Sequence, residues 1–439
     1  MVSLSEMRRD ARAAFDAAVA AVQPHNLVPN RVQRSGDDVL VAGDALPHAR
    51  GRHVVMAIGK AAPGLAAAWL DSVPDWTHEL YVLAPHDLPV PVEVERAATV
   101  LRGAHPYPDA DGEASARRLL TVAASLGADD LLVVLLSGGG SALMAAPKNG
   151  LTLAEIRATT EALLRVGAPI NDVNTVRRQL LAAAGGGLGR AASPAPVWTL
   201  ILSDVLGDPL PDIASGPTVV SSSTPADALA ALEHFAILDD VPKAVAAFMT
   251  AARGRPPDDG AWASSGHTRI IGNNRTAVEA AASELRSRAW GVEIITEHVI
   301  GEASERGREI AAAARAKESP APTAVVMGGE TTVTVHGRGR GGRNQELALA
   351  AAIEIDGAGG IVLLAAGTDG IDGLSDNAGA VVDGTSAARL RHHGFDPRVS
   401  LEDNDSGTAL ESIGDAIRTG PTGTNVCDVT LVLTAPTTA

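Results

Sequence analysis

Short, nearly continuous apolar segments recur along the chain, and longer alanine-rich segments with helical periodicity separate them. The clearest are 53–58 (HVVMAI), 131–136 (LLVVLL), 198–202 (WTLIL) and 361–366 (IVLLAA). Strands that are covered on both faces have this pattern, whereas a strand with one wet face alternates apolar and polar residues. Further segments of this kind are 80–84, 268–271, 292–295, 323–327, 331–335 and 429–433. Their alternation with helices predicts βαβ units and an open, mostly parallel, doubly wound α/β sheet.

Two domains are expected, because 439 residues exceed what one hydrophobic core usually serves. The segment 252–266 is rich in Pro, Gly and charged residues and has no apolar periodicity, which predicts a linker. The chain then divides into two α/β domains, residues 1–251 and residues 267–439. The last apolar segment, 429–433, could pack on either of them.

Composition argues against several classes of partner. The net charge of -16 and the 3% of aromatic residues disfavour a nucleic-acid-binding surface. Residues 1–22 carry charges where a signal peptide needs an apolar core, and no apolar run is long enough to span a membrane. The single cysteine, Cys427, fits a reducing compartment. We therefore expect a cytoplasmic protein without nucleic-acid or membrane partners.

A glycine-rich loop follows the apolar segment 131–136 and precedes a helical segment. The loop consists of Ser137, Gly138, Gly139, Gly140 and Ser141. Three glycines let backbone N–H groups converge on an anion, and the start of a helix adds partial positive charge. The loop lacks the Gly-Lys-Ser/Thr ending of a Walker A loop. The glycines could instead serve only to form a tight turn between strand and helix, but we favour the interpretation that the loop binds phosphate.

Two cations stand beside predicted strand or helix ends. Lys60 is one of only four lysines and follows the apolar segment 53–58, where it either reaches solvent or faces an anion. Arg343 lies in the glycine-rich stretch HGRGRGGRNQE at 336–346, next to a predicted helix start. A guanidinium held there can bind carboxylate or phosphate through two hydrogen bonds. An RNA-binding RGG segment is the rival interpretation, which the net charge opposes.

Two Asp-Gly loops also follow predicted strands. One is SDVLGD with Asp204 and Asp208, and the other is GTDGIDG with Asp369 and Asp372. Such carboxylates can hold Mg²⁺ or accept a proton from a substrate hydroxyl, although each could equally cap a turn. Together with the loop and the cations, they indicate an enzyme that handles phosphate.

The ordered motifs resemble those of the class II glycerate kinases, whose C-terminal region is called the MOFRL domain. They are AIGKAA at 57–62, HPYPDADG at 105–112, LLSGGGSALM at 135–144, NDVNTVRRQL at 171–180, SDVLGD at 203–208, GNN at 272–274, GGETTV at 328–333, GRGGRNQE at 339–346, GTDGIDG at 367–373 and TGPTGTNVCD at 419–428. The resemblance implies a larger Rossmann-like domain, a smaller α/β domain of the MOFRL type and a cleft between them.

The resemblance also implies a reaction and a set of roles. The expected reaction is phosphorylation of D-glycerate by ATP with Mg²⁺, giving 2-phosphoglycerate. The expected catalytic residues are Lys60, Arg343, Asp204 and Asp369. ATP or phosphate is expected at Ser137, Gly138, Gly139, Gly140, Ser141 and Asn273. Glycerate is expected at Arg343 and Arg178, and the metal at Asp208 and Asp372.

One stretch departs from the family pattern. Where the family commonly has His, Ser and Lys, this chain has Gln179, Leu181 and Ala184. Altered substrate choice, weaker activity and ligand binding without turnover therefore stay open. A hydroxypyruvate reductase, as members of the family are often labelled, is a lesser alternative because the dinucleotide fingerprint GxGxxG is missing after the segment 53–58. The oligomeric state also stays open, with a homodimer as one candidate.

Overall fold

The computed structural model describes residues 2–36, 38–256, 262, 267–317 and 320–436. They form two compact units. The parallel-sheet unit is Pro24–Ile271, and the mixed-sheet unit is Met1–Gln23 together with Gly272–Ala439. Most of the predicted linker 252–266 lies outside the described residues.

The helices and strands of the described residues follow the predicted alternation. The helices are α1 (Leu4–Ala21), α2 (Pro24–Arg31), α3 (Ala62–Ser72), α4 (Val92–Ala97), α5 (Ala110–Ala124), α6 (Gly140–Leu143), α7 (Leu153–Arg165), α8 (Ile170–Leu180), α9 (Gly187–Ala192), α10 (Pro225–His234), α11 (Lys243–Ala252), α12 (Asn274–Ser287), α13 (Ala303–Ala316), α14 (Arg343–Glu354), α15 (Ser386–His392), α16 (Pro397–Glu402) and α17 (Ser406–Ser412). The strands are β1 (Val32–Ser35), β2 (Asp38–Val41), β3 (Asp44–Ala45), β4 (His53–Ile58), β5 (Glu79–Pro85), β6 (Thr99–Gly103), β7 (Leu131–Leu136), β8 (Val197–Leu202), β9 (His267–Gly272), β10 (Gly291–Glu302), β11 (Thr323–Thr332), β12 (Ile361–Gly367), β13 (Gly379–Asp383), β14 (Ala416–Ile417) and β15 (Asp428–Thr434).

The sheet of the parallel-sheet unit has the strand order β6-β5-β4-β7-β8-β9. Strand β4 pairs in parallel with both β5 and β7, so the chain winds to one side after β4 and to the other after β7. Every residue of β7 and β8 is buried, as the continuous apolar runs predict. The predicted parallel sheet is therefore confirmed, and its topological switch point lies between β4 and β7.

The central strands of this sheet end at one edge. Ile58 of β4 is aligned with Leu136 of β7, and Leu136 is aligned with Ile201 of β8. The loops that begin at residues 59, 137 and 203 therefore leave the sheet side by side. In open α/β sheets, ligands bind at this edge.

The sheet of the mixed-sheet unit has the order β10-β11-β15-β12-β13-β14. Strands β10 and β11 are parallel, and β15 lies between β11 and β12 and is antiparallel to both. The last predicted strand thus belongs to this sheet. The prediction of separate strands at 323–327 and 331–335 is wrong, because Gly328 and Gly329 keep pairing with β15 and make β11 continuous to Thr332.

The division into units differs from the predicted domains 1–251 and 267–439 at both ends of the first domain. Helix α1 belongs to the mixed-sheet unit, where it buries an apolar stripe that includes Met7 and Phe15. Its Arg8 binds Asp383 of that unit at 2.6 Å. Strand β9, predicted to open the second domain, instead joins the sheet of the parallel-sheet unit next to β8. The positions of α1 and β9 could not be predicted from their order in the sequence, because both depend on long-range packing.

Among the described residues, no helix is both long enough and apolar enough to cross a membrane.

Candidate functional site

The loops after β4 and β7 are hydrogen-bonded to each other at the switch point. The N–H of Lys60 donates to the carbonyl oxygen of Gly138 at 2.8 Å, and the N–H of Ser137 donates to Ile58 O at 2.9 Å. The hydroxyl of Ser137 is buried and accepts from the N–H of Ala61 at 3.0 Å. Ser137 therefore joins the two loops.

Glycines 138 and 139 allow polar side chains to approach the backbone. A Cβ atom added to Gly138 would lie 1.6 Å from Oδ2 of Asp204. The carboxylate of Asp204 is therefore packed against the backbone of this glycine. At Gly139, where φ is +87°, a Cβ atom would lie 3.1 Å from the ring of His105 and 3.2 Å from Cγ of Lys60. The two glycines thus bring Lys60, His105 and Asp204 around one short stretch of main chain.

The same stretch offers hydrogen-bond donors. Within the described part of the chain, the N–H groups of Gly138 and Gly139 donate no hydrogen bond. The next residue, Gly140, begins α6, and the Ser141 hydroxyl lies 2.8 Å from that of Ser215. Open N–H groups beside a lysine can bind phosphate oxygens.

A cavity of about 380 Å³ opens beyond the ends of β7 and β8, and we call it the β7–β8 cavity. Its polar lining includes His105, Ser141, Asn174, Arg177, Asp204 and Asp212. It also has apolar walls, to which Leu181 contributes. Apolar walls with a few converging polar groups are typical of a small-molecule site.

Arg177 is a half-buried cation that pairs with no carboxylate of the described residues. Its guanidinium makes no hydrogen bond or ion pair with another described residue, and burial lowers its pKa from the usual value. The predicted glycerate ligand, Arg178, is instead buried and paired with Asp212 at 2.7 Å, and it does not line the β7–β8 cavity. The two consecutive arginines of α8 point in different directions. The sequence prediction did not distinguish them.

His105 opens the motif HPYPDADG, but the sequence alone did not identify it as a site residue. Burial, and then the charge of Lys60, lower the pKa of His105 to about 4. The ring is therefore neutral near pH 7 and can donate one hydrogen bond and accept another.

In the mixed-sheet unit, Arg343 is the first residue of α14 and is held by two carboxylates. Its Nε and Nη2 atoms donate to the two oxygens of Asp428 at 2.6 and 2.9 Å. Its Nη1 atom lies 3.0 Å from Oε1 of Glu330. Burial by itself would lower the pKa of Arg343, but the hydrogen bonds and charge of Asp428 outweigh it and raise that pKa. The predicted two-pronged geometry is thus made with a protein carboxylate, and sequence reasoning missed both partners.

Asp372 and Asp369 lie in the loop after β12. Asp372 is 2% exposed, and its carboxylate accepts from the N–H groups of Asn344 and Gln345 at 3.0 and 2.8 Å, at the start of α14. Burial outweighs these bonds and raises the pKa of Asp372 to about 7. Asp369 is half-buried and accepts from the N–H of Ile371 at 3.2 Å.

The other predicted residues lie as follows. The side chain of Asn273 caps α12 by accepting from the N–H of Thr276 at 3.1 Å. Asp208 is half-buried in a turn with φ of +54° and does not line the β7–β8 cavity. Of the departures from the family pattern, Leu181 lines this cavity, whereas Gln179 and Ala184 line another.

In enzymes that handle phosphate, Mg²⁺ usually binds through one or two carboxylates together with phosphate oxygens and water. The half-buried Asp204, which faces the β7–β8 cavity beside the loop, fits this pattern. In the described part of the chain, three ligand-type side chains come within reach of a shared ion at His86, Asp109 and Asp111. That group contains none of the predicted ligands.

Two family models match the chain. Residues 10–250 match a domain described as a domain of unknown function, DUF4147, and residues 323–428 match the MOFRL family.

Individual relatives cover most of the chain. A D-glycerate 2-kinase of Thermotoga maritima is 39% identical over 76% of this chain and 79% of its own. A relative from Agrobacterium vitis with a provisional hydroxypyruvate reductase name is 40% identical over 97% of this chain and 94% of its own. The crystal structure of a glycerate kinase from Thermotoga maritima has a TM-score of 0.86 at 36% identity, covering 98% of this chain and all of that one.

Proposed function

The chain belongs to the class II glycerate kinases, and we propose that it transfers the γ-phosphoryl group of ATP to the 2-hydroxyl of D-glycerate. The observation that carries the proposal is the meeting of Lys60, Asp204 and open N–H groups around Gly138 and Gly139. Phosphoryl transfer depends mainly on positioned donors and cations that stabilise charge on the phosphoryl oxygens.

The loop Ser137–Ser141 and Lys60 are proposed to hold the phosphates of ATP. The ammonium of Lys60 makes no ion pair within the described part of the chain, so its charge is available to a ligand. The N–H groups of Gly138 and Gly139 add neutral donors at the same place. An acidic protein with a net charge of -16 gains from such a local site, because backbone donors attract phosphate without further cations.

Arg177 and Asp204 are proposed to bind glycerate in the β7–β8 cavity. Because the guanidinium of Arg177 has no ion pair with a described residue, a carboxylate ligand would neutralise it, and Arg177 therefore takes the role predicted for Arg178. Asp204 then accepts the proton of the glycerate 2-hydroxyl. The oxygen of that hydroxyl attacks the γ-phosphorus, and ADP leaves. Neutral His105 donates a hydrogen bond that orients the substrate.

Arg343, in the mixed-sheet unit, is proposed to bind phosphoryl or carboxylate oxygens of the ligands. Asp428 fixes two of its nitrogens, while the third faces Glu330, which is 44% exposed and can be displaced by a ligand oxygen. Asp369 stays the alternative base.

Asp208, on the same loop as Asp204, is the carboxylate that we propose for Mg²⁺, so that Asp204 keeps the role of base; the ion when bound would neutralise charge on the phosphates. The prediction for Asp372 stays open to test, but a metal there would have to replace the two N–H donors from the start of α14. Asn273 likewise stays a predicted phosphate ligand, one that already caps α12.

The test is ADP release by the purified protein with ATP, Mg²⁺ and D-glycerate, followed by NMR identification of the product. We expect glycerate-dependent turnover to 2-phosphoglycerate. A folded protein that binds ATP but gives no such turnover would contradict the proposal and would turn attention to Leu181, which lines the β7–β8 cavity.

A hydroxypyruvate reductase is the second candidate, suggested by the name of the Agrobacterium vitis relative. The turn after β4 reads GKAAPG, without the glycine spacing that a dinucleotide pyrophosphate needs. Oxidation of NADH with hydroxypyruvate would support this candidate, and we expect none.

We propose that the enzyme is cytoplasmic, because a chain with a single cysteine forms no internal disulfide and suits a reducing compartment. Light scattering would show whether it forms the homodimer left open above.

A further inference from the structure

A second cavity of the parallel-sheet unit, about 300 Å³ in volume, has a strongly cationic lining. Its charged and hydroxyl-bearing lining residues are Lys148, Arg178, Arg190, Arg255, Ser221 and Ser223. None of the described residues that line it carries a carboxylate. We call it the cationic cavity.

Lys148 contributes an ammonium group to this lining. It is half-buried, its ammonium donates to the carbonyl oxygen of Arg178 at 3.3 Å, and no described carboxylate pairs with it. Burial, followed by the charges of Arg190 and Arg255, lowers the pKa of Lys148 to about 8. The fold therefore holds an ammonium close to other cations at a cost in free energy that no described protein carboxylate offsets.

The remaining walls supply donors in fixed positions. Arg178 is 8% exposed and is held by Asp212 at 2.7 Å and by the Ser223 hydroxyl at 3.2 Å. The hydroxyls of Ser221 and Ser223 lie 2.8 Å apart. Arg255 also lines the cavity, is exposed and has no ion pair with a described residue. Converging cations and hydroxyls suit an oxyanion with several oxygens and more than one charge.

We propose that the cationic cavity binds a phosphate group, free or carried on a small metabolite, at a site separate from the loop Ser137–Ser141. Helix α8 separates the two cavities, because Arg177 lines the β7–β8 cavity and Arg178 lines the cationic one. The binding requires no turnover, so it can be tested whether or not the proposed kinase reaction is found.

The first experiment titrates the full-length protein with sulfate by calorimetry, in buffers of different ionisation enthalpy. Sulfate does not titrate near neutral pH, so any proton taken up must go to the protein. A bound dianion favours the charged form of Lys148, so we expect uptake of about half a proton at pH 8 and almost none at pH 6. The other charged groups around Lys148 are Arg178, Arg190 and Arg255, together with Asp212, which pairs with Arg178.

Variants of Lys148 identify the group responsible. Lys148→Met should weaken sulfate and inorganic phosphate binding about tenfold to a hundredfold and abolish proton uptake. Lys148→Arg keeps the charge, so we expect it to bind the anion without taking up a proton. An unfolding midpoint of Lys148→Met close to that of the wild type excludes misfolding as the cause of its loss of binding.

Two controls separate this site from others. Lys243→Met removes an exposed lysine of the same unit and should change neither affinity nor proton uptake. Lys60→Met alters the loop that we propose for ATP and should leave the uptake at pH 8 unchanged. Unchanged binding and uptake in Lys148→Met, or their loss in Lys60→Met, would overturn the proposal.

The source of the phosphate group is then compared with two probes, inorganic phosphate and glycerol 3-phosphate. Tighter binding of the ester, lost in Lys148→Met, indicates a site for a phosphorylated metabolite. Equal binding indicates a site for the phosphate group alone. Failure of both probes to bind would contradict the proposal.

Discussion

Lys60 and Arg343 differ in whether their positive charge is paired with carboxylates of the protein. Lys60 stands beside open N–H groups and makes no ion pair with the described residues, whereas Arg343 is held by Asp428 and Glu330. The first arrangement leaves charge for a ligand and contributes little to stability. The second fixes the direction of a guanidinium and is itself part of the packing. Substitutions at the two places should therefore affect different properties.

The largest effect is expected from Lys60→Met. Loss of the cation that we propose to face the transferred phosphoryl group should lower kcat/KM about a thousandfold, while the midpoint of urea unfolding stays nearly unchanged. Steady-state kinetics and unfolding curves check the two parts, with Lys243→Met as the control. Wild-type kinetics in Lys60→Met would show that the loop region is not the phosphate site.

Asp428→Asn should act mainly on stability. It leaves the guanidinium of Arg343 without its buried charge partner, and we expect a loss of about 3 kcal/mol in the free energy of unfolding. Asp356→Asn, which breaks the exposed pair with Arg391, is the control and should cost below about 1 kcal/mol. Equal losses in the two variants would remove the distinction drawn between Lys60 and Arg343.

Arg177→Met should raise the KM for glycerate about thirtyfold, because the charged hydrogen bond that we propose to the substrate carboxylate is lost. Arg165→Met removes an exposed arginine at the end of α7 and should leave KM unchanged. Arg178→Met breaks the buried pair with Asp212 and should instead lower stability. A normal KM in Arg177→Met would return the substrate role to Arg178 or Arg343.

The smallest effect concerns pH. The pKa of His105 falls to about 4 on folding, so the unfolded chain binds more protons between about pH 4 and 6.5, and stability rises with pH there. The pKa of Asp372 is raised to about 7 on folding, so the folded chain binds more protons than the unfolded chain between about pH 4 and 7. The contribution of Asp372 to stability is therefore lost as pH rises through this range.

Unfolding free energies at pH 5 and 7 test these opposite signs. Relative to the wild type, His105→Asn should make the slope with pH less positive, and Asp372→Asn should make it more positive. We expect changes of about 1 kcal/mol, because His105 is only partly buried. Slopes that shift in the same direction would contradict this assignment.

The strand-end argument explains why part of the site follows from the sequence. Lys60, Asp204 and the loop Ser137–Ser141 each follow a continuous apolar run, and parallel strands with aligned ends bring such residues together. The placement depends on little more than strand identity and order. Their chemical roles stay predictions.

The missed residues depend on packing that local patterns do not reveal. Arg177 and Arg178 are neighbours in sequence, and only the packing of α8 decides which of them lines the β7–β8 cavity. Asp428 meets Arg343 because β15 inserts antiparallel between β11 and β12, which is a property of topology. His105 requires knowledge that the loop after β6 reaches Gly139.

The placement of α1 has a consequence for synthesis on the ribosome. Helix α1 buries Met7 and Phe15 in the unit whose central strand, β15, is made about 400 residues later. Because domains fold as they emerge, Pro24–Ile271 can acquire its own core while α1 still lacks its partners. The apolar stripe of α1 must therefore be shielded, by chaperones or transient contacts, for most of translation.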